Sequence, residues 1–286
     1  MTADSAAGEG AAVPGSPGSA RVDVGVVGVW KPSGRGRGDR TARSRREVME
    51  DYAALINGRT ALRAVVIPRA DRHIAAVATQ VMALREQVTA VFVTGLRAAE
   101  SMDMQAEVTA AGGPLVVTEL DLVTVALAAA AVAKLRARGI RPGLGRVMVT
   151  GVDSAPHLAQ VLSGVGVGTV TSFRQRTIST LPLRQLMSHQ DVVIDLTGTV
   201  SSLAAPESTL TLPAEPFDLA ALALPGLLSA LCGHGCPVLQ VDALTAAARA
   251  IALSTSAGRS LPDPHDRLLT SAVAQQVSGT LSASSG

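Results

Sequence analysis

RVMVTGVDSAP, residues 146–156, is the stretch on which the fold turns. Arg146 to Thr150 is an apolar, β-branched run. Gly151 to Pro156 is a glycine-led turn, followed by a helical stretch from His157 to Ser163 and a strand from Gly168 to Phe173. A strand, a tight glycine turn and a helix begin a Rossmann-type unit, in which right-handed crossovers lay strands parallel. Downstream, Asp191 to Asp195 (DVVID) supplies another buried strand. Ala220 to Leu231 and Asp242 to Leu253 read as helices, and Asp266 to Gln276 as a terminal helix behind Pro262 and Pro264. Upstream, strands at Val22–Trp30, Ala61–Ile67, Thr89–Thr94 and Leu115–Thr118 alternate with helices at Glu47–Asn57, Ala75–Gln87 and Met102–Ala111. This alternation predicts an α/β fold with a parallel sheet in each half.

The run from Leu115 to Ala133 carries much of the chain's mean hydropathy of +0.32. Glu119 and Asp121 inside it argue against a membrane span, because two carboxylates in hydrocarbon are expensive. A buried alanine-rich helix from about Leu120 to Gly139 is the reading that follows. Of the 286 residues, 47% are hydrophobic and 17% charged, enough apolar material for a real core. Lys plus Arg number 25 against 23 Asp plus Glu, a net charge of +2 that argues against nucleic acid as the partner. Aromatics are only 2%, so base-stacking platforms are scarce and the core is aliphatic. Cys232 and Cys236 are the only cysteines, which excludes a disulfide scaffold. No positive start and apolar run marks a secretory signal, so a cytoplasmic location is expected.

The candidate chemistry is thin. A dinucleotide fingerprint needs three glycines, and only Gly151 stands; Asp153 and Pro156 occupy the other two places. Gly151, Asp153 and Ser154 are thus a degenerate cofactor turn. The next strand ends without an acid for a ribose, while Arg174 and Arg176 could meet a 2′-phosphate or form a solvated loop. Cys232-Gly-His234-Gly-Cys236 groups three soft ligands, but no second cluster completes a zinc site. Glu119 and Asp121 could share a divalent ion or favour the positive end of a helix. Lys31 to Arg46 holds seven cations against Asp39 and reads as a basic loop that could dock on an acidic partner.

Several strings, in order and spacing, resemble the malic enzymes, which decarboxylate malate oxidatively with a divalent metal and NAD(P). They are Val48 to Ile56, Pro114-Leu-Val116, the strand and turn at 146–156, Leu224-Pro-Gly-Leu227, Ala246 to Leu253, Asp263-Pro-His-Asp266 and Ala272-Val-Ala274. The resemblance covers about Val22 to Leu281. It implies an N-terminal α/β lobe over 21–118 and a Rossmann-like domain over 119–281, between tails at 1–20 and 282–286 that are expected to be unstructured. It also implies self-association and a site from which most chemical groups have gone. Where the family has its catalytic lysine, Tyr52 stands; where it has its first two metal carboxylates, Val93 and Thr94 stand. Glu119 or Asp121 retains the third acid, and Leu219-Ala220-Ala221 replaces the malate-binding asparagine. Tyr52, Glu119 and Asp121 are the residues expected to line the cleft.

Losing acid, base, metal and cofactor contacts together removes what stabilises a transition state. The expectation is a non-catalytic malic-enzyme-like binding or assembly module, without cofactor, that self-associates or takes a protein partner. The alternatives are an NAD- or NADP-dependent, metal-assisted oxidoreductase with a remodelled site, and a regulatory module docking through 31–46.

Overall fold

The computed structural model describes residues 23–29, 44–68, 74–173, 185–198, 200, 208–213 and 216–284. The expected N-terminal tail, most of the basic 31–46 segment, Arg174 and Arg176 lie outside them. Among the described residues two four-stranded sheets, parallel throughout, are present. In the first, β1 (Val24–Gly28) pairs with β2 (Ala64–Val66) on one side and β3 (Ala90–Thr94) on the other, and β4 (Leu115–Thr118) follows β3. In the second, β5 (Arg146–Thr150) lies between β6 (Thr169–Phe173) and β7 (Val192–Asp195), and β8 (Thr209–Thr211) closes the edge. The orders β2-β1-β3-β4 and β6-β5-β7-β8 are the same doubly wound pattern repeated. The order in which strands are added therefore reverses once in each sheet, between β1 and β3 and between β5 and β7, and a crevice opens at the carboxyl ends there.

The strand sequences suit this arrangement: VGVVG, AVFVT, LVVT and VVID are continuous apolar runs, as strands covered on both faces must be. The helices bounded within the described residues include α1 (Arg45–Arg59), α2 (Ile74–Ala83), α3 (Ala98–Ala110), α4 (Glu119–Ala137), α5 (Leu158–Gly164), α6 (Phe217–Gly233), α7 (Val241–Ser254) and α8 (Arg267–Ser284). From Asp121 to Leu135 every α4 residue except Lys134 is buried. A helix apolar all round belongs in an interior, and α4 packs on β3 and β4 as well as on β7, β8, α5, α6 and α7. One continuous hydrophobic cluster consequently joins the two sheets through it. Among the described residues no helix is long and apolar enough to cross a membrane.

Most expected elements appear with shifted ends. The strand expected over Ala61–Ile67 shortens to Ala64–Val66, α3 begins four residues before Met102, and the terminal helix runs on to Ser284, through part of the expected 282–286 tail. Strand β8 had no sequence signal, since TLT is too short to show a period. The string Leu224-Pro-Gly-Leu227 is a packing device: a Cβ on Gly226 would fall 2.6 Å from the Thr270 carbonyl oxygen, so α6 and α8 meet there backbone to backbone.

Candidate functional site

Beside the first crevice, a polar cluster is built at the carboxyl ends of β3 and β4. Thr118 caps α4 in a capping box, its hydroxyl accepting from the Asp121 amide while Asp121 answers back to the Thr118 N–H. Asp121 Oδ2 accepts from the Thr118 amide, the Thr118 hydroxyl and Gln105 Nε2, each at 2.8 Å, and the Ser101 hydroxyl donates to Thr118 Oγ1 at 2.8 Å. Burial raises the Asp121 pKa, against the Thr118 hydrogen bonds, the nearby His157 charge and the Gln105 bond. Asp121 is thereby committed to holding the start of α4.

Glu119, two residues earlier, turns the other way. Its Oε1 accepts from the Tyr52 hydroxyl at 2.6 Å, and its Oε2 from the Gly95 amide at 3.4 Å. Tyr52 is fully buried on α1, edge-on to Phe92 with ring centroids 4.7 Å apart and tilted against Phe217 at 4.8 Å. Burial, the Glu119 charge, the hydrogen bond to Glu119 and the Asp218 charge all push the phenol above its usual range. It therefore remains a proton donor to Glu119 and does not become a base. The structure thus brings Tyr52 and Glu119 together and sets Asp121 apart. Asp218, in the first turn of α6, belongs to this neighbourhood too, and nothing in its exposed, helix-start sequence context flagged it.

The donor set does not suit a divalent ion. At the end of β3 stand Val93 and Thr94, both buried; one acid, Glu119, already accepts from Tyr52. No group of three or more His, Cys, Asp or Glu side chains is placed to hold a metal among the described residues. The Cys232/Cys236 pair closes α6, where the Cys236 amide donates to the Leu231 carbonyl at 3.0 Å around Gly235 at φ +61°. Burial, with smaller contributions from Asp23 and Cys236, pushes the Cys232 thiol up to about 12.

The second crevice lies between β5 and β7. Gly151 is left-handed at φ +68°, and residues 152–154 form a 3₁₀ turn resting against α3. A Cβ on Gly151 would meet Thr197 Cγ2 at 2.3 Å, so the close approach that the glycine permits is taken up by the protein's own threonine. Asp153 and Ser154 sit exposed on the turn, and α5 beyond Pro156 has seven residues. This is a poor cradle for a diphosphate, which needs backbone donors and open space at a helix start.

Asp195, quoted in the sequence only as the end of a strand, governs this crevice. Its Oδ1 accepts from the Thr150 hydroxyl at 2.7 Å and from the Thr197 hydroxyl and amide at 3.1 and 3.2 Å; its Oδ2 accepts from the Val200 amide at 2.8 Å. Burial works to raise its pKa, but the bonds from Thr150, Val200 and Thr197 outweigh it and hold the carboxyl below its ordinary value. The signal that could have found it is a lone acid closing an apolar run just before Thr197 and Gly198.

Gly151→Ala is expected to cost about 1–3 kcal/mol, from left-handed strain together with the Thr197 overlap. Urea unfolding should show Thr197→Ser, which lacks Cγ2, recovering part of that loss in the double variant. No recovery would mean that the overlap is not what Gly151 avoids.

No family model matches the sequence, and no curated protein is significantly similar to it. Solved structures do match. The NAD-dependent malic enzyme of Thermotoga maritima is 16% identical with a TM-score of 0.69, over 91% of this chain and 85% of that one. Malic enzyme from Pyrococcus horikoshii is 13% identical with a TM-score of 0.70, over 91% and 77%. That of Entamoeba histolytica is 14% identical with a TM-score of 0.70, over 91% and 69%. At such identities the match establishes a malic-enzyme-like fold.

Proposed function

We propose that this chain is a malic-enzyme-like protein without malic-enzyme catalysis, acting as a binding or assembly module. The observation that carries the reading is the 2.6 Å hydrogen bond from Tyr52 to Glu119. The position where the resemblance expects an ammonium is filled by a phenol, which is bound to the retained carboxylate and kept protonated by burial and by that carboxylate. General acid–base work needs a group that gains and loses a proton near the working pH. The Tyr52 phenol is not arranged for that, and the Gly151 turn offers a diphosphate little room. The module is proposed to self-associate, which light scattering on the purified chain measures directly.

Thermal-shift titration tests the reading, because a ligand that prefers the native state raises its melting temperature. NAD, NADP, malate and pyruvate, each with and without Mn²⁺, are expected to leave it unchanged. A cofactor-dependent rise, or malate-dependent reduction of NAD or NADP, would overturn the proposal in favour of a remodelled oxidoreductase.

A further inference from the structure

We infer that copies of this chain associate head to tail, the basic turn before β5 of one copy seating Leu144 in an apolar cavity beside the acidic face of α3 on the next. The inference rests on the self-association proposed above and names the surfaces that produce it. The turn reads Arg141-Pro-Gly-Leu-Gly-Arg146, and Pro142–Leu144 form a 3₁₀ turn between α4 and β5. Leu144 stands 76% exposed on it, between the exposed Arg141 and Arg146. Residues 136–152 hold four Arg and no acid. The Asp191 carboxylate, which accepts from the Arg146 amide at 2.9 Å, offsets only part of that charge. One exposed leucine means little alone. What gives it meaning is a complementary surface on the same chain.

The outward strip of α3 is Ala99, Met102, Asp103, Ala106, Glu107 and Ala110, all exposed and spaced three or four apart. Residues 98–133 hold no Lys or Arg, and Glu100 is already paired with Arg97 at 3.2 Å. Asp103 and Glu107 have no ion-pair partner among the described residues. Beside the strip an open cavity of about 320 Å³ lies between α3, β4 and residues 238–239. Its described lining carries no charge, and the Gln105 amide there already donates to the Val116 carbonyl and to Asp121. Ala106, Ala110, Val116, Val238 and Leu239 suit it to an aliphatic side chain; an apolar cavity of about 150 Å³ already admits a benzene-sized group. Asp103 and Glu107 are within one helical turn of Ala106, so Arg141 and Arg146 of an incoming turn meet opposite charge there. Within one copy the two surfaces cannot meet. The turn precedes β5, α3 rests against residues 152–154 beyond it, and the five-residue strand between them is roughly 16 Å long. A second copy supplies both the leucine and the cavity, and such a heterologous contact repeats until a ring closes or a filament grows.

Analytical ultracentrifugation of the full chain tests this. Leu144→Asp should weaken association roughly tenfold or more, the scale of one leucine side chain left unburied. Two charge reversals are decisive together: Arg141→Glu with Arg146→Glu reverses the turn, and Asp103→Lys with Glu107→Lys reverses the face. Each double variant should sediment as a monomer where the unaltered chain associates. An equimolar mixture of the two should associate again, because each turn then finds a face of opposite sign on the other variant. All the altered positions are exposed, and melting curves establish that both variants are folded. Association that persists undiminished in the variants, or a mixture of the two folded variants that stays monomeric, would overturn the assigned surfaces and leave self-association standing. An unaltered chain that is monomeric at every concentration would overturn both.

Discussion

Tyr52→Ala is expected to lower the unfolding free energy by about 3–5 kcal/mol, the range for removing a large buried aromatic side chain. Three of the chain's five aromatic residues meet in one place, Tyr52 against Phe92 and Phe217, so the truncation opens a cavity where α1, β3 and α6 join. Tyr52→Phe separates packing from hydrogen bonding. It keeps both ring contacts and leaves Glu119 without the phenol donor, a loss of about 1–2 kcal/mol. Urea unfolding of Tyr52→Phe, Glu119→Gln and the double variant should give a coupling of about 1 kcal/mol between the two. A coupling near zero would show that the hydroxyl and carboxylate do not support each other in solution, and the functional reading would lose its main support.

Asp195→Asn is the second large effect, at about 2–4 kcal/mol, because a carboxylate that accepts four hydrogen bonds is replaced by an amide with one acceptor oxygen. The sign of its pH dependence follows from the depressed pKa. A carboxyl held below its unfolded value stabilises the native state fully above that value, ordinarily 3.8 here, and loses the contribution as pH falls through the folded value. The difference in stability between wild type and Asp195→Asn should therefore be largest near neutrality and shrink in acid. Asp121 has the opposite sign: its pKa is raised, so its ionisation costs stability as pH rises from the unfolded value toward the folded one. A wild-type advantage over Asp195→Asn that grew in acid would contradict the hydrogen-bonding assigned to Asp195.

The repeated strands were legible because buried parallel strands write themselves as unbroken apolar runs, and VGVVG, AVFVT and RVMVT carry no competing pattern. The α4 helix was legible by its two acids, which belong at a helix start and not in a bilayer. Element ends were less so. The start of α3 at Ala98 depends on Glu100 reaching back to the Arg97 amide, which a count of apolar positions passes over. At the site, the sequence and its resemblance pointed to Tyr52, Glu119 and Asp121 as companions. Only geometry separates them, because residues 119 and 121 stand two apart in the first turn of α4 and their side chains leave on different sides. Asp195 and Thr197 were missed because their importance lies in partners on β5, far away in sequence.

The all-round apolar character of α4 also has a consequence for how the chain is made. Synthesis runs from the amino terminus, so α4 leaves the ribosome when only the first sheet exists to receive it; its partners on β7, β8, α6 and α7 come later. Until they arrive, much of a helix that ends up buried from Asp121 to Leu135, apart from Lys134, has no neighbour from its own chain. Nascent surfaces of that kind recruit chaperones or aggregate. The helix that unites the finished core is thus the part of the growing polypeptide that most needs shelter.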